Sequence, residues 1–231
     1  MTQHIGIVAC SAEGASLCYR TIVSEGARLM GQHTHPEVSM HTPSLSHYVD
    51  CLENGDIDGI GDLMLASAIK LAAMGADFLI CPDNTVHQAF EYVAARSPLP
   101  WLHIAEVVAE EAKSRGFKRV GLTGTKWLVS SDVYPSKLEA QGIEYRRPDN
   151  ADCEEINRLI MEELTMGIFT EPSTRFFQET IIRLKNEGCD SVVLGCTEIP
   201  LIINDENSDL PTLDSTRLLA IAAVQKSLQS P

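Results

Sequence analysis

The stretch GADFLICPDNT, residues 75–85, has a counterpart later in the chain in GCDSVVLGCTE, residues 188–198. In each stretch a Gly and an Asp precede a short apolar run, and polar residues follow it. The two stretches lie 113 residues apart, and a second pair, IGIVACSAEG (5–14) and VGLTGTKWLV (120–129), lies 115 residues apart. Any two parallel βα units resemble each other in this way, but two nearly equal spacings indicate two half-molecules with the same topology.

The alternation of apolar runs and helical patterns indicates the fold class. Runs rich in Val, Ile and Leu, typical of parallel strands covered on both faces, predict strands at 4–10, 77–81, 119–124 and 190–196. Helices are predicted at 14–30, 59–75, 86–95, 104–115, 131–141, 153–166, 173–187 and 214–228, and a Gly stands at the end of four of them, at 75, 116, 142 and 188. We therefore predict an α/β fold of two pseudo-symmetric domains, each a mostly parallel sheet flanked by helices.

The predicted domains follow from the repeat. The first domain is expected at 1–100 and the second at 101–204, with the C-terminal segment 205–231 returning to complete the first domain. In open α/β sheets, ligands bind beyond the carboxyl ends of the strands. Each polar strand end is therefore a candidate wall of the site.

Composition and charge exclude several classes of protein. A net charge of −14 argues against a nucleic-acid partner but leaves an anionic small substrate possible, because a local site can oppose the overall field. The apolar runs are too short to span a membrane, and residues 1–10 lack the features of a signal peptide. Seven cysteines without C-x-x-C spacing favour a cytoplasmic protein with free thiols over a zinc or redox protein.

No metal site is predicted. The segment 33–47 contains four histidines, but no carboxylate–histidine pattern orders them. The stretch GDIDGIGD (55–62) lacks the closing Glu of a calcium-binding EF-hand loop.

Polar residues follow each predicted strand and form the candidate site. The internal repeat places Asp83 over Cys196. If the two halves face each other, these residues lie on opposite walls of one cleft, a geometry suited to removing a proton from one face of a carbon acid and returning it on the other. A thiolate can act in this way when its neighbours lower the thiol pKa, whereas a carboxylate, with an ordinary pKa of about 3.9, is a weaker base unless desolvation raises that value.

Structural roles remain open for the same residues. Asp83 could be a helix N-cap, and Asn84 and Thr85 could be turn residues. Cys196 could be a small buried hydrophobic residue, as free cysteine often is. Cys81 is predicted to lie in the core, and Cys10, at the end of the first strand, is a further candidate thiol.

Several motifs resemble those of the aspartate/glutamate racemase superfamily over nearly the whole chain. The most specific is GCTEIPLII (195–203), which resembles the second cysteine motif of that family, and DNTVH (83–87) resembles the first. IGIVAC (5–10), the segment 124–144 and LDSTRLLA (213–220) add further similarity. The resemblance implies two α/β domains with the site between them, an amino-acid or related carboxylate substrate, no cofactor, and a possible homodimer.

The resemblance also assigns roles to individual residues. Cys196 matches the second catalytic cysteine of the family, and Asp83 stands where the first usually stands. The candidate substrate-binding residues are Ser11, Asn84, Thr85, His87, Thr125, Lys126 and Thr197. Leu219 replaces a histidine that many members carry, and no arginine occurs between Arg28 and Arg96 to bind a second substrate carboxylate, a charge that Lys126 could supply.

The function predicted from the sequence is that of a cofactor-independent amino-acid racemase or epimerase with Cys196 and Asp83 as opposed acid/base residues. Two alternatives remain because a carboxylate replaces the first thiol. One is a single-thiol isomerase or decarboxylase of the same superfamily, and the other is a catalytically inactive relative that binds a carboxylate.

Overall fold

The computed structural model describes residues 2–229 and divides the chain into two compact units. Unit 1 comprises the residues up to Ile104 and those from Thr216 onward, and unit 2 comprises Ala105–Ser215. Each unit contains one four-stranded parallel sheet with helices around it, so the predicted α/β class is confirmed.

The sheet of unit 1 has the strand order β2-β1-β3-β4. Its strands are β1 (Ile5–Val8), β2 (Val38–His41), β3 (Phe78–Ile80) and β4 (Trp101–Leu102). The helices that connect them are α1 (Ala12–Met30), α2 (Leu45–Asn54), α3 (Ile57–Ala73) and α4 (Phe90–Ala94), with a 3-10 helix at Thr85–Ala89 before α4. All three strand pairs are parallel, as the buried apolar runs predicted.

The sheet of unit 2 has the equivalent order β6-β5-β7-β8. Its strands are β5 (Arg119–Thr123), β6 (Glu144–Arg146), β7 (Ser191–Leu194) and β8 (Thr212–Asp214). The helices are α5 (Ile104–Ser114), α6 (Lys126–Ser130), α7 (Pro135–Ala140), α8 (Asn150–Glu162) and α9 (Glu171–Asn186), with 3-10 turns at Leu164–Met166 and Ile199–Leu201. The last helix, α10 (Ser215–Ser227), lies almost wholly in unit 1, where the amide of Gln3 donates to the carbonyl of Ser227.

No helix within residues 2–229 is long and apolar enough to cross a membrane.

The internal repeat is confirmed by strand register. Gly6 of β1 pairs with Leu79 of β3, and Gly121 of β5 pairs with Val192 of β7. Gly121 lies 115 residues after Gly6, and Val192 lies 113 residues after Leu79, which are the two spacings found in the sequence. The two halves therefore share the pairing of their central strands as well as their strand order.

An aspartate before the third strand of each unit fixes the start of the neighbouring strand. Asp77 accepts a hydrogen bond of 2.7 Å from the amide of His4 before β1. Asp190 accepts bonds of 2.7 Å from the amide of Lys118 and 3.3 Å from that of Arg119 at the start of β5. The repeated Gly-x-Asp before each strand thus has a structural cause, because the carboxylate satisfies amides that the sheet leaves unpaired.

The boundaries predicted for the two halves need correction. The segment 205–231 does not belong wholly to the first half, because β8 pairs with β7 and keeps the chain as far as Ser215 in unit 2. Residues 101–104 belong to unit 1 rather than to the second half, because β4 pairs with β3. Both strands are only two or three residues long, which is too short for a recognisable apolar pattern.

Two helical predictions also change. The segment 131–141 contains a break, and α7 begins only at Pro135, a residue that suits the first turn of a helix. Helix α2 lies in a segment for which no helix was predicted. The four glycines predicted to end helices, at 75, 116, 142 and 188, all have positive φ angles, between 72° and 88°, as left-handed helix ends require.

Removal of the Asp190 carboxylate tests the role of the strand-start aspartates. Asp190→Ala should lower the free energy of unfolding by about 1–2 kcal/mol, because the amides of Lys118 and Arg119 lose their acceptor. Urea unfolding measures the change. The control is Glu53→Ala at an exposed position, which should stay within about 0.5 kcal/mol of the parent, and equal effects of the two substitutions would contradict this role.

Candidate active site

The central strands of each sheet bring the predicted site residues to one edge. In unit 1, Ser11 follows β1 and Asp83 follows β3, and these two strands are parallel neighbours. In unit 2, Thr125 follows β5 and Cys196 follows β7, which are again parallel neighbours. Each unit therefore presents one group of polar residues beyond the carboxyl ends of its central strands, the place where ligands bind in open α/β sheets.

Two glycines allow the loops of unit 2 to approach each other closely. The amide of Gly195 donates a hydrogen bond of 3.0 Å to the carbonyl of Thr123, and a Cβ on Gly195 would collide with that carbonyl oxygen. A Cβ on Gly124 would stand 3.0 Å from the carbonyl oxygen of Gly195. Because neither glycine has a side chain, the two loops can pack backbone against backbone, and this contact sets the position of Cys196 in the loop after β7.

Cys196 and its two following residues form a compact hydrogen-bonded group. The half-buried thiol of Cys196 donates to Oε2 of Glu198 at 2.9 Å, and the hydroxyl of Thr197 donates to the same oxygen at 2.8 Å. Glu198 is only 2% exposed, and its Oε1 has no hydrogen-bond partner among the described residues. A buried carboxylate oxygen without a protein partner is costly, which makes Glu198 a candidate site residue.

Glu198 was not among the catalytic or substrate-binding residues predicted from the sequence. Its sequence position, directly after Cys196-Thr197 at a strand end, was the available signal. Only the packing shows that its carboxylate turns back to the Cys196 thiol instead of reaching solvent.

Hydroxyl groups hold the end of β7 in place from both neighbouring strands. Thr123 at the end of β5 donates to the carbonyl of Val193 at 2.7 Å, and Ser215 after β8 donates to the carbonyl of Leu194 at 2.8 Å. Tyr134, fully buried beside Ser215, has a pKa raised above its ordinary value by burial, so its phenol remains neutral. The strand that carries Cys196 thus ends in a rigid setting.

Ser11 and Thr125 are equivalent helix caps. Each side-chain oxygen accepts a hydrogen bond of 3.2 Å, Ser11 from the amide of Gly14 in α1 and Thr125 from that of Leu128 in α6. The sequence overlay placed Cys10 over Thr125 and is wrong here by one residue, because the loop after β5 is one residue shorter than the loop after β1. Lys126 follows the cap with an exposed side chain, and its Nζ lies 5.3 Å from the ring of Trp127.

Asp83 serves as a local cap. Its Oδ1 accepts a hydrogen bond of 3.2 Å from the amide of Val86 at the start of the 3-10 helix, a contact of the kind that the structural alternative for this residue requires. The cap does not exclude a chemical role, since it also fixes the orientation of a half-buried carboxylate. Asn84 and Thr85 are buried next to it.

Two thiols and a phenol lie buried around the Asp83 loop. Cys10, Cys81 and Tyr48 belong to one core cluster, which confirms the prediction that Cys81 is a core residue. The pKa of Cys10 is raised well above its ordinary value, chiefly by burial and also by Cys81 and Asp83. Cys10 therefore stays protonated, which argues against it as a replacement for the missing first thiol.

His87 turns both ring nitrogens towards the backbone. Nδ1 lies 2.7 Å from the carbonyl oxygen of Asp83, and Nε2 lies 3.4 Å from the amide nitrogen of Ile104. The ring is 3% exposed and stacks on Phe90 at a centroid distance of 5.6 Å. This arrangement does not match the substrate-binding role predicted for His87.

The histidines of the 33–47 segment do not assemble into a metal site. His41 contacts the hydroxyl of Ser67 and Nζ of Lys70, and its pKa is lowered by burial and by the Lys70 charge. Within residues 2–229, no three His, Cys, Asp or Glu side chains are grouped so that they could hold a metal ion.

Comparison with known proteins gives a consistent result. Residues 6–223 match the family model described as Asp/Glu/Hydantoin racemase. The chain is similar to the crystal structure of a Yersinia pestis protein assigned to the Asp/Glu racemases, with 30% identity and a TM-score of 0.89 over 98% of this chain and 100% of that one. An aspartate racemase homologue from Pyrococcus horikoshii has 26% identity and a TM-score of 0.84 over 99% of this chain and 100% of that one. A broad-specificity amino-acid racemase from Bacillus subtilis is 27% identical over 75% of this chain and 74% of its own length.

These similarities confirm the family resemblance predicted from the motifs around residues 83–87 and 195–203. They extend beyond those motifs, because the family match spans both sheets and the two solved structures cover nearly the whole chain.

A methyl group at position 195 tests the close approach of the unit 2 loops. Gly195→Ala should destabilise the protein by about 1–3 kcal/mol in urea unfolding, because the new Cβ meets the rigid carbonyl of Thr123. Gly121→Ala in the adjacent strand is the matched control, since its Cβ would collide with Cδ1 of Leu184, at 2.8 Å, a side-chain end that can rotate away, and would meet Cβ and Cγ of the same residue at 3.4 Å, an ordinary contact. A loss at position 195 no larger than that at position 121 would contradict the steric argument.

The protonation of Cys10 is tested by alkylation. In native protein at pH 8, iodoacetamide should leave Cys10 unmodified and modify half-buried Cys196, because the raised pKa of Cys10 keeps its thiol protonated and burial excludes the reagent. Mass spectrometry of the peptides measures both sites, and unfolding in urea should make both react. Native alkylation of Cys10 as fast as that of Cys196 would restore Cys10 as a candidate nucleophile.

Proposed function

Since the chain belongs to the Asp/Glu/Hydantoin racemase family, we propose that it is a cofactor-independent racemase or epimerase of an α-amino acid, with Cys196 and Asp83 as its two acid/base groups. Racemases are isomerases, and the protein is an enzyme of this class. The observation that carries the proposal is the Cys196 thiol, at the end of a central strand, held 2.9 Å from the buried carboxylate of Glu198.

The proposed reaction removes one proton from the substrate Cα and adds one proton to the opposite face of the same carbon. The Asp83 carboxylate takes the Cα proton of one enantiomer, and the electron pair of that bond stays on the substrate as a carbanion. The Cys196 thiol then gives its proton to the opposite face of the same carbon. Asp83 ends as a carboxylic acid and Cys196 as a thiolate, so the other enantiomer reacts by the reverse steps, or proton exchange with solvent restores the starting state.

Glu198 acts on the Cys196 side of this exchange. When the thiol has given up its proton, the thiolate and the Glu198 carboxylate are like charges in close contact, which disfavours the thiolate and strengthens it as a base. The unpartnered Oε1 of Glu198 offers a second acceptor for the proton or for the substrate ammonium group.

The remaining predicted residues are proposed to hold the substrate. Asn84, Thr85 and Thr197 are buried at the ends of the two central strands and supply amide and hydroxyl groups for the α-carboxylate. Backbone amides in the same turns can stabilise the enolate-like charge that develops there. Lys126 is the candidate partner for a side-chain carboxylate, which would make an acidic amino acid a substrate despite the net charge of −14.

Substitutions at position 83 test the proposal while keeping the helix cap. Asp83→Asn should lower the racemisation rate by about 10²- to 10⁴-fold, because an amide cannot take the proton although it still caps the Val86 amide. Asp83→Cys should keep activity, since a thiol can perform the same transfer. Chiral chromatography with a panel of amino acids measures the rates.

Thiol substitutions supply the matched comparison. Cys196→Ala and Glu198→Gln should both reduce racemisation, whereas Cys153→Ala, another half-buried thiol on α8, should not. Full activity in Asp83→Asn would show that Asp83 only caps the 3-10 helix and takes no part in proton transfer. Ligand-dependent thermal stabilisation without turnover on the whole panel would instead support the carboxylate-binding alternative.

A further inference from the structure

We infer that His87 is a positioning residue that holds Asp83 for proton transfer, through a neutral ring that bridges two backbone groups. This inference rests on the proposed function, in which Asp83 is one of the two acid/base groups. It assigns His87 a part in the reaction without contact between its ring and the substrate.

The hydrogen bonds of the ring define its tautomer. The carbonyl oxygen of Asp83 can only accept, so Nδ1, at 2.7 Å, carries the hydrogen. The amide of Ile104 can only donate, so Nε2, at 3.4 Å, presents its lone pair. Both backbone groups are satisfied only by the neutral imidazole with its hydrogen on Nδ1.

Aromatic packing prevents the ring from turning away from these two groups. His87 stacks on Phe90 with an interplanar angle of 7°, and the edge of His103 contacts it at a centroid distance of 4.8 Å. Phe90 and His103 also contact each other at 4.5 Å. The ring of His87 is therefore clamped between two neighbours and is 3% exposed.

The bridge completes a two-point attachment of Asp83. Its carboxylate is held by the amide of Val86, and its main-chain carbonyl is held by His87. Ile104 is the first residue of α5, so the same ring ties the turn after β3 to the segment that follows β4. Proton transfer to a carboxylate depends steeply on orientation, and a displacement of about 1 Å can cost roughly 10²-fold in rate.

Two substitutions separate the two hydrogen bonds of the ring. The side-chain amide of Asn places a donor where Nδ1 stands, whereas that of Gln reaches the position of Nε2. His87→Asn should therefore keep the bond to Asp83 and stay within about threefold of the parent rate. His87→Gln should lose that bond and fall by about 10- to 100-fold in the step that uses Asp83.

The readout isolates the Asp83 step from the Cys196 step. β-Chloroalanine needs only one base: removal of the Cα proton forms the Cα–Cβ double bond as chloride leaves, and hydrolysis of the resulting 2-aminoacrylate gives pyruvate and ammonium. Pyruvate is measured separately for the two enantiomers, and Asp83→Asn identifies the enantiomer that depends on Asp83. His87→Gln should slow that enantiomer alone.

The outcomes distinguish the inference from a general loss of structure. Equal slowing of both enantiomers by His87→Gln, or equal rates for His87→Asn and His87→Gln, would overturn the positioning role. Nitrogen NMR of the unsubstituted protein gives a readout that does not depend on activity, because the bridge requires a hydrogen on Nδ1 and none on Nε2 of His87. The opposite tautomer would overturn the bridge, whereas the expected tautomer with no racemisation of any amino acid in the panel and no elimination from either enantiomer would overturn the proposed function and leave the bridge intact.

Discussion

Each sheet depends on a close parallel pairing of its two central strands, which makes them end side by side. In unit 1 this pairing brings the turns after β1 and β3 together, and in unit 2 it does the same for β5 and β7. The constraint is sharpest in unit 2, where Gly124 and Gly195 leave no room for a Cβ between the two loops. The position of Cys196, and with it the hydrogen bond to Glu198, follows from this backbone contact rather than from side-chain packing alone.

The same strand ends combine stabilising and costly features. Asp83 and Thr125 cap helical turns, which favours folding, typically by about 1 kcal/mol per cap. Glu198 does the opposite, since its buried Oε1 lacks a partner, an arrangement that typically costs about 1–3 kcal/mol. A carboxylate kept in such a place beside a thiol is expected of a reactive site, where orientation and proton affinity matter more than local stability.

The sequence predicted the central strands because burial on both faces leaves a clear apolar run. The four strands that it predicted are β1, β3, β5 and β7, which are the inner strands of the two sheets. Their edge partners are two to four residues long, and three of the four carry polar residues, as in the EYR of β6, so their identity depends on pairing. For the candidate site, the strand ends pointed to Asp83 and Cys196 as candidate residues, whose roles stay predictions. The turn of Glu198 towards the thiol and the protonated state of Cys10 depend on packing, which the sequence does not show.

In the proposed reaction, two different groups exchange protons with opposite faces of one carbon. Racemisation in D₂O, started from each pure enantiomer and followed by NMR at Cα, tests it most directly. With two groups at work, the product enantiomer formed in early turnover should carry deuterium while the remaining substrate keeps its original hydrogen, in both directions. Product that retains the original hydrogen would indicate a single shared base and would rule out the exchange between Asp83 and Cys196.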